Sequence, residues 1–430
     1  MVEREFVAQQ AYKRDARLIL VMRGLRSLAY GLISIVLGIG LTNEGYTPLA
    51  IGLLITIALI GDMIGTYIIA FNADTWGRRR TFMIIACFMV ITGVVFGLTT
   101  SYPILLLAAF LGTLGASGSE TAPFLPLDQA MIAHIVPTEQ RTALFARYNL
   151  IASLSIAIGA LGAGLPDLLV RLHLLLSIGI RLVFGIYALI ALVVVFLSTR
   201  LSPHVEVKQG ITTHVQHLWQ RLLPPLGHSQ GIVLKLTGLF SVDALAGGLV
   251  VQSLMALYFH LRFGVPLAYL SVLFFGANLL SACSFLAAVP LARRFGLLNT
   301  MVFTHLPSNV LLILIAFAPT FPIAAGLLLL RQLLSQMDVP TRQAYTMALV
   351  APEERTAAAS TTSLARSVGS VSSPIISGLL LQGFWLALGL PFILAGILKV
   401  GYDASLWTLF RHVHLPEEKI STATKPKQHL

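Results

Sequence analysis

PLDQAMIAHIVPTEQRTA, residues 126–143, and PTRQAYTMALVAPEERTA, residues 340–357, are two copies of one pattern set 214 residues apart in a chain of 430. Laid together without a gap, Pro126, Gln129, Ala130, Val136, Glu139 and Arg141 fall on Pro340, Gln343, Ala344, Val350, Glu353 and Arg355. Solenoid units run about 20–50 residues, so a repeat of half the chain is a duplicated half-sized unit. In a chain this apolar it points to two lobes in a membrane with the working site between them.

Hydrophobic residues make up 56% of the chain and charged residues 11%, with a mean hydropathy of +0.84. A soluble domain carries about 25% charge, and apolar runs of about 20 residues cross a bilayer as helices. The first residues, MVEREFVAQQAYKRDAR, are polar and lack the short apolar core and cleavage site of a removable leader. Cys87 and Cys283 both fall in apolar runs and read as reduced packing residues. The net charge of +11 does not point to nucleic acid, because the basic residues are scattered over short loops.

Twelve helical spans are expected, at roughly 18–41, 47–71, 81–99, 103–126, 143–165 and 178–198, then 232–259, 267–291, 298–318, 321–341, 358–382 and 386–409. Prolines interrupt span 4 (Pro123, Pro126), span 10 (Pro340) and span 11 (Pro374). Arginines and lysines gather in alternate loops, from Lys13, Arg14 and Arg17 through Arg78–Arg80 to Arg293, Arg294 and Lys419. By the positive-inside rule both termini lie in the cytoplasm of a plasma membrane, bacterial inner membrane being the expected type. Residues 1–198 form a first six-helix bundle, 199–231 a central loop, 232–410 a second bundle and 411–430 a tail. The loop carries His204, His214, His217 and His228 at irregular spacing, with Glu206 the one acid among them, and reads as a solvated linker, not a metal site.

Between spans 2 and 3 stands Asp74-Thr75-Trp76-Gly77-Arg78-Arg79-Arg80, and between spans 8 and 9 Arg293-Arg294-Phe295-Gly296. Here the chain resembles the major facilitator superfamily, which places D-x-x-G-R-[KR]-[KR] in this loop, a weaker copy in the partner loop, and a P-x-E-x-R element after spans 4 and 10. The resemblance covers essentially the whole chain. It implies an all-α fold of two pseudo-symmetric six-helix bundles, a monomer, and alternating access by rocking of two lobes. It also implies a cytoplasmic latch of Asp74, Gly77 and Arg78 with the proline-arginine elements, which bring in Glu139, Arg141, Glu353 and Arg355; Arg342, like Asp128, is a gate or latch candidate because it lies nearer the cytoplasm. The family's latch acid at the end of span 4 is His134 in this sequence. Asp128 takes its place, or the latch is weak, or His134 makes it pH-sensitive. The arginine on span 4 and the Gly-Pro step on span 5 typical of antiporters are missing; Gly159, Gly162 and Gly164 remain.

An ionisable residue inside a span costs roughly 2.5–3.5 kcal/mol on insertion scales and is a functional candidate. On span 1, Arg23, Arg26, Tyr30 and Ser34 share one face. Arg26 lies roughly 12 Å inside the membrane, while Arg23 reads as snorkelling to the surface. Leu28, Ala29, Gly31 and Leu32 match Leu245, Ala246, Gly248 and Leu249 at an offset of 217, which sets Arg26 opposite Asp243. A pair of those two across the central cavity, loosened by substrate or proton, is expected. Asp62 has no basic neighbour on span 2, and burial favours the neutral acid, which makes it a proton-carrier candidate. Span 10 carries Arg331, Ser335, Asp338 and Arg342 on one face, over Ser117, Thr121, Phe124 and Asp128 of span 4, with Glu120 beside them. On span 11, Arg366, Ser367, Ser370 and Ser373 face one way. Lys399 and Asp403, four apart on span 12, are expected to neutralise each other.

No P-loop, nucleophile elbow or Cys/His metal spacing is present, so neither an enzyme nor a cofactor is expected. The leading expectation is secondary transport of a small molecule, proton-coupled, with export first. Arg26 and Arg331 keep uptake of an organic anion by proton symport or facilitation open as a second reading. A non-transporting membrane sensor or assembly factor is the third, and cavity-facing carboxyls count against it.

Overall fold

The computed structural model describes residues 2–117, 123–136, 138–206, 227, 229–351 and 354–413, without side chains at 2–11, 138, 139, 142 and 356. Every regular element among them is helical. Among the described residues nine helices are long and apolar enough to cross a membrane, and they fall on spans 1–3, 5–9 and 12 of the sequence reading. Spans 4, 10 and 11 are split. Span 4 is Tyr102–Leu111 and Phe124–Ile135; span 10 is Phe321–Ser335 and Asp338–Leu349; span 11 is Arg355–Val371 and Ser373–Leu380. Span 7 also breaks, into Gln230–Leu249 and Gln252–Phe263.

Proline explains where three of these spans resume. It has no N–H to give the preceding turn, so it is tolerated in a helix's first turn. Pro126, Pro340 and Pro374 each stand within the first three residues of a resumed helix. The repeat shows in the backbone as well. Val136 and Val350, equivalent residues, both leave the helix in an extended conformation and are both buried.

Packing divides the chain into two units. Unit 1 comprises Met1–Thr212, Val250–Leu279 and Pro374–Leu388; unit 2 comprises Thr213–Leu249, Leu280–Ser373 and Gly389–Leu430. Parts of spans 7, 8 and 11 thus belong with the first six spans. In unit 1, span 1 (Val2–Asn43) packs chiefly on span 5 (Thr138–Gly162) and span 6 (Leu176–Ser198), and span 3 (Arg78–Leu98) on span 6. In unit 2, span 7 packs on spans 11 and 12 (Leu390–Phe410), and span 9 (Leu297–Ala316) on span 12. These are the same pairings shifted by six spans. Large apolar side chains such as Leu98, Leu172, Leu286 and Phe303 stand exposed on the helix surfaces, as a lipid-facing surface requires. Cys87 and Cys283 are also exposed and unpaired, so they do not fill the core as the sequence reading expected.

Glycine sets the closest crossings. A Cβ on Gly31 would lie 2.2 Å from the Ile156 carbonyl oxygen, and one on Gly248 would lie 2.7 Å from that of Ser370. The two contacts are equivalent under offsets of 217 and 214, so the small-residue crossing of span 1 on span 5 recurs in span 7 on span 11. Gly31→Ala is therefore expected to push backbone against backbone and destabilise unit 1 by about 1–3 kcal/mol. Thermal unfolding of the purified variant in detergent checks this; an unchanged midpoint would count against the crossing.

The break in span 4 is a membrane-depth segment of irregular backbone. Its carbonyls need partners from protein, because lipid offers none. Thr113 O accepts from the Tyr187 hydroxyl, and Ala116 O accepts from Ser253 N (3.2 Å) and Ser253 Oγ (2.8 Å). At Gly115, φ +59°, an added Cβ would lie 2.4 Å from Tyr30 Cδ1, so the backbone there leaves no room for a side chain.

Candidate functional site

Two clusters of buried charge occupy the units, one in each. In unit 1, Arg26 Nη2 meets Asp128 Oδ2 at 2.5 Å with both side chains fully buried. Tyr148 donates to the same carboxylate oxygen at 2.7 Å. The Arg26 guanidinium lies 4.4 Å from the Phe124 ring centroid and 5.1 Å from that of Phe82, a desolvated setting in which cation–π attraction adds to the ion pair. Arg23 does not snorkel; it is buried over the Tyr148 ring at 4.6 Å. Tyr30 donates to Thr113 Oγ1 at 3.0 Å. Asp62 is buried close enough to Tyr30 and Tyr187 to interact with both electrostatically. Its Oδ1 has no hydrogen-bond partner among the described residues.

In unit 2, Asp243 sits among cations. Its Oδ1 takes Lys399 Nζ at 2.5 Å, and its Oδ2 takes Arg342 Nη1 at 2.9 Å and Arg366 Nη1 at 3.0 Å. Arg342 Nη1 also reaches Asp338 Oδ2 at 3.0 Å. Arg331 is buried, and its guanidinium donates to Gln332 Oε1 at 3.2 Å.

The expected pair of Arg26 with Asp243 is therefore corrected: each is held by an opposite charge inside its own unit. The two pairs are repeat equivalents with their signs exchanged. Arg26 of span 1 binds Asp128 of span 4, and Asp243 of span 7 binds Arg342 of span 10, under the same offsets of 217 and 214. A pair closed within one packed unit keeps both charges satisfied whatever else the protein does. The local pair of Lys399 with Asp403 is also corrected. Lys399 goes to Asp243, while Asp403 takes His305 Nδ1 at 2.8 Å and Asn309 Nδ2 at 2.8 Å. The sequence reading missed His305 and Asn309, four residues apart in span 9; a histidine inside an apolar run was the signal for them.

At the loop before span 3, Gly77 ends one helix and starts the next at φ +91°. Arg78 Nε binds Asp74 Oδ1 at 2.7 Å and Arg78 Nη1 donates to the Ala130 carbonyl at 3.1 Å. Asp128 makes no hydrogen bond or ion pair with Arg78 among the described residues; its Oδ2 holds Arg26 and Tyr148. His134 is exposed, and among the described residues no hydrogen bond ties it to the loop; Arg78 meets the Ala130 carbonyl there instead. Glu206 supplies an acid from the start of the central loop: its carboxylate accepts from Arg78 N at 2.7 Å and Arg79 N at 3.0 Å, at the first turn of span 3, where helix N–H groups lack partners. Arg141 and Arg355 each turn back onto a carbonyl near the end of the preceding helix, Val136 O at 2.9 Å and Met347 O at 3.1 Å. Residues 140 and 354, also repeat equivalents, tie down the chain leading into spans 1 and 7. Gln140 accepts from the Tyr12 hydroxyl, and Glu354 from Gly227 N and Ser229 N. Glu120 and Glu353 lie outside the described residues, as does the side chain of Glu139; His214, His217 and His228 lie outside them too.

Repeated helix pairings, small-residue crossings and sign-exchanged buried pairs define a duplicated helical membrane protein built around charge. The sequence model of the Major Facilitator Superfamily matches residues 19–335, and the chain belongs to that family. It is 29% identical over 431 residues to an uncharacterized membrane protein of Saccharomyces cerevisiae, YJR124C, covering 94% of this chain and 96% of that protein. Among solved structures, a point mutant of the nucleoside transporter NupG superposes with a TM-score of 0.73 at 14% identity, covering 91% of this chain and all of that one. A D-xylose-proton symporter superposes at 0.71 and 16% identity, covering 91% and 97%. The fold is the all-helical fold of this family, and the protein is a multi-pass membrane protein of the secondary transporter class.

Proposed function

We propose that the chain moves a small molecule against its gradient by coupling it to protons, and that Asp62 takes up and releases the proton. The placement of Asp62 carries this reading. Asp128, Asp243 and Asp403 each accept hydrogen bonds from basic or polar side chains. Asp128 also leaves Oδ1 open but holds Arg26 and Tyr148 on Oδ2, whereas Asp62, 7% exposed, shows no side-chain hydrogen bond or ion pair on its carboxyl among the described residues. An acid tied to a basic partner is fixed in place by that pair; one without such a partner in an apolar helix is suited to carry a proton between two aqueous sides.

Basic-residue asymmetry supports placing the Asp74–Arg80 loop and both termini in the cytoplasm of a cell-surface membrane. Export in exchange for protons is the first reading of direction. Uptake with a proton is the second, favoured by the missing span 4 arginine and span 5 Gly-Pro step.

Purified protein in liposomes with an entrapped pH dye, challenged with a compound panel from either side, tests coupling and direction together. Compound-dependent proton flux is expected. Asp62→Asn is expected to abolish that flux while leaving the thermal midpoint and substrate exchange intact, because no hydrogen bond to Oδ1 is lost. Flux indifferent to every compound, or an asparagine variant with normal pH dependence, would overturn the proposal.

A further inference from the structure

Among the described residues of unit 2, the cations gathered around Asp243 outnumber the acids that face them. Each half has one sign-exchanged pair at equivalent places, Arg26 with Asp128 and Asp243 with Arg342. Beyond that shared pair, unit 2 adds Arg331, Arg366 and Lys399 but only one acid, Asp338, to the same cluster. The offset of 214 puts Ser117 where Arg331 stands, Ala152 where Arg366 stands and Phe124 where Asp338 stands, so the surplus is not part of the duplicated scaffold. Four cations face two carboxylates. Asp403 is the next acid and is taken by His305 and Asn309; counting it with His305 neutral still leaves a cation over.

Arg331 is the residue where the surplus is plainest. It is 8% exposed, its Nε has no acceptor, and it forms no ion pair among the described residues. Gln332, its sequence neighbour, provides the acceptor for Nη1, and that glutamine oxygen is shared with Ser335. A guanidinium buried at membrane depth without a carboxylate is costly. Its planar fork fits the paired oxygens of a carboxylate or phosphate. Arg366, whose side chain is 33% exposed, holds Asp243 through Nη1.

We propose that the substrate is a small organic anion, and that unit 2 takes its carboxylate or phosphate on Arg331 with Arg366 as the second cation. This rests on the transport reading above and names the class of solute moved. A neutral solute would leave the surplus uncompensated, whereas an anion brings the cluster closer to balance.

The test uses three matched pairs that differ in charge: benzyl alcohol and benzoate, D-xylose and D-xylonate, uridine and uridine 5′-monophosphate. Binding is measured to the purified full-length chain and uptake to the same protein in liposomes. In at least one pair the anion is expected to bind about tenfold or more tightly than its neutral twin and to be moved. Benzoate and xylonate report a carboxylate site, the nucleotide a phosphate site. Arg331→Gln is expected to erase the preference, Arg331→Lys to restore part of it, and Arg366→Gln to weaken it, with monodispersity and thermal midpoint showing that each variant is folded. Should Arg331→Gln not fold, the lysine variant and Arg366→Gln still read the preference. Transport of the neutral twins in preference to the anions would overturn the anion assignment and leave the transporter standing. A charge preference untouched in folded Arg331 and Arg366 variants would overturn the assigned residues. Silence of the wild-type protein toward all six compounds would count against both readings.

Discussion

Asp243→Asn is expected to destabilise the protein by about 3–5 kcal/mol, since removing one member of a buried ion pair strands the others. The carboxylate is shared by Lys399, Arg342 and Arg366. Without it, buried Lys399 and part-exposed Arg366 lose their acid, and Arg342 keeps only Asp338. Asparagine retains the shape and one acceptor oxygen but not the charge. The drop is read as the thermal midpoint of the purified variant in detergent, alongside its yield in membranes. Adding Lys399→Met removes the cation that lies closest to Asp243, so the double variant is expected to recover part of the loss; contacting residues are not additive. A single variant as stable as the parent, or a double variant no better than the single, would show that the acid does not hold the cluster together.

The second large effect concerns the exchanged signs. Arg26→Asp sets two carboxylates together in a fully buried site, and Asp128→Arg sets two guanidiniums there. Each is expected to cost about 3–5 kcal/mol or more. The double exchange, Arg26→Asp with Asp128→Arg, is expected to recover most of that, because spans 7 and 10 already carry an acid and an arginine in that order. Recovery stops short of complete: the rings of Phe82 and Phe124 are placed for a cation arriving from span 1. A two-by-two comparison of thermal midpoints gives the coupling. If the double variant is as poor as the worse single, the two pairs are not interchangeable.

Much of the architecture was legible because membranes impose simple rules. Apolar length gave the spans, and a half-chain repeat gave the duplication. Proline marked the breaks in spans 4, 10 and 11 but not the one in span 7, and Pro290 and Pro307 stand inside helices that continue unbroken. What could not be read was which charge meets which. A single offset aligned Arg26 with Asp243 and invited a pair between halves. The second offset, which aligns Asp128 with Arg342, was also in the sequence. Only the two taken together show complementary signs on spans 1 and 4 and again on spans 7 and 10. Lys399 misled because i,i+4 spacing makes a local pair geometrically possible, while the alternative partner lay 156 positions away. Glu206 was read as part of a linker, since nothing local ties a loop residue to free amides in a motif 128 positions earlier.

Unit 1 includes Val250–Leu279 and Pro374–Leu388. Ser253 bridges the carbonyls of Ser34 and Ala116, and Gly52 abuts the backbone of Pro374 and Gly378. A chain emerging from the ribosome therefore finishes its first six spans long before that unit can close. At about 5–20 residues per second, the stretch from 199 to 388 takes on the order of ten to forty seconds to arrive. For about the first three to ten seconds of that interval, until residue 253 is made, the irregular stretch of span 4 lacks Ser253 on the Ala116 carbonyl. Assembly in the membrane is thus late and long-range, and a truncation before residue 388 leaves the first half without parts of its own packing.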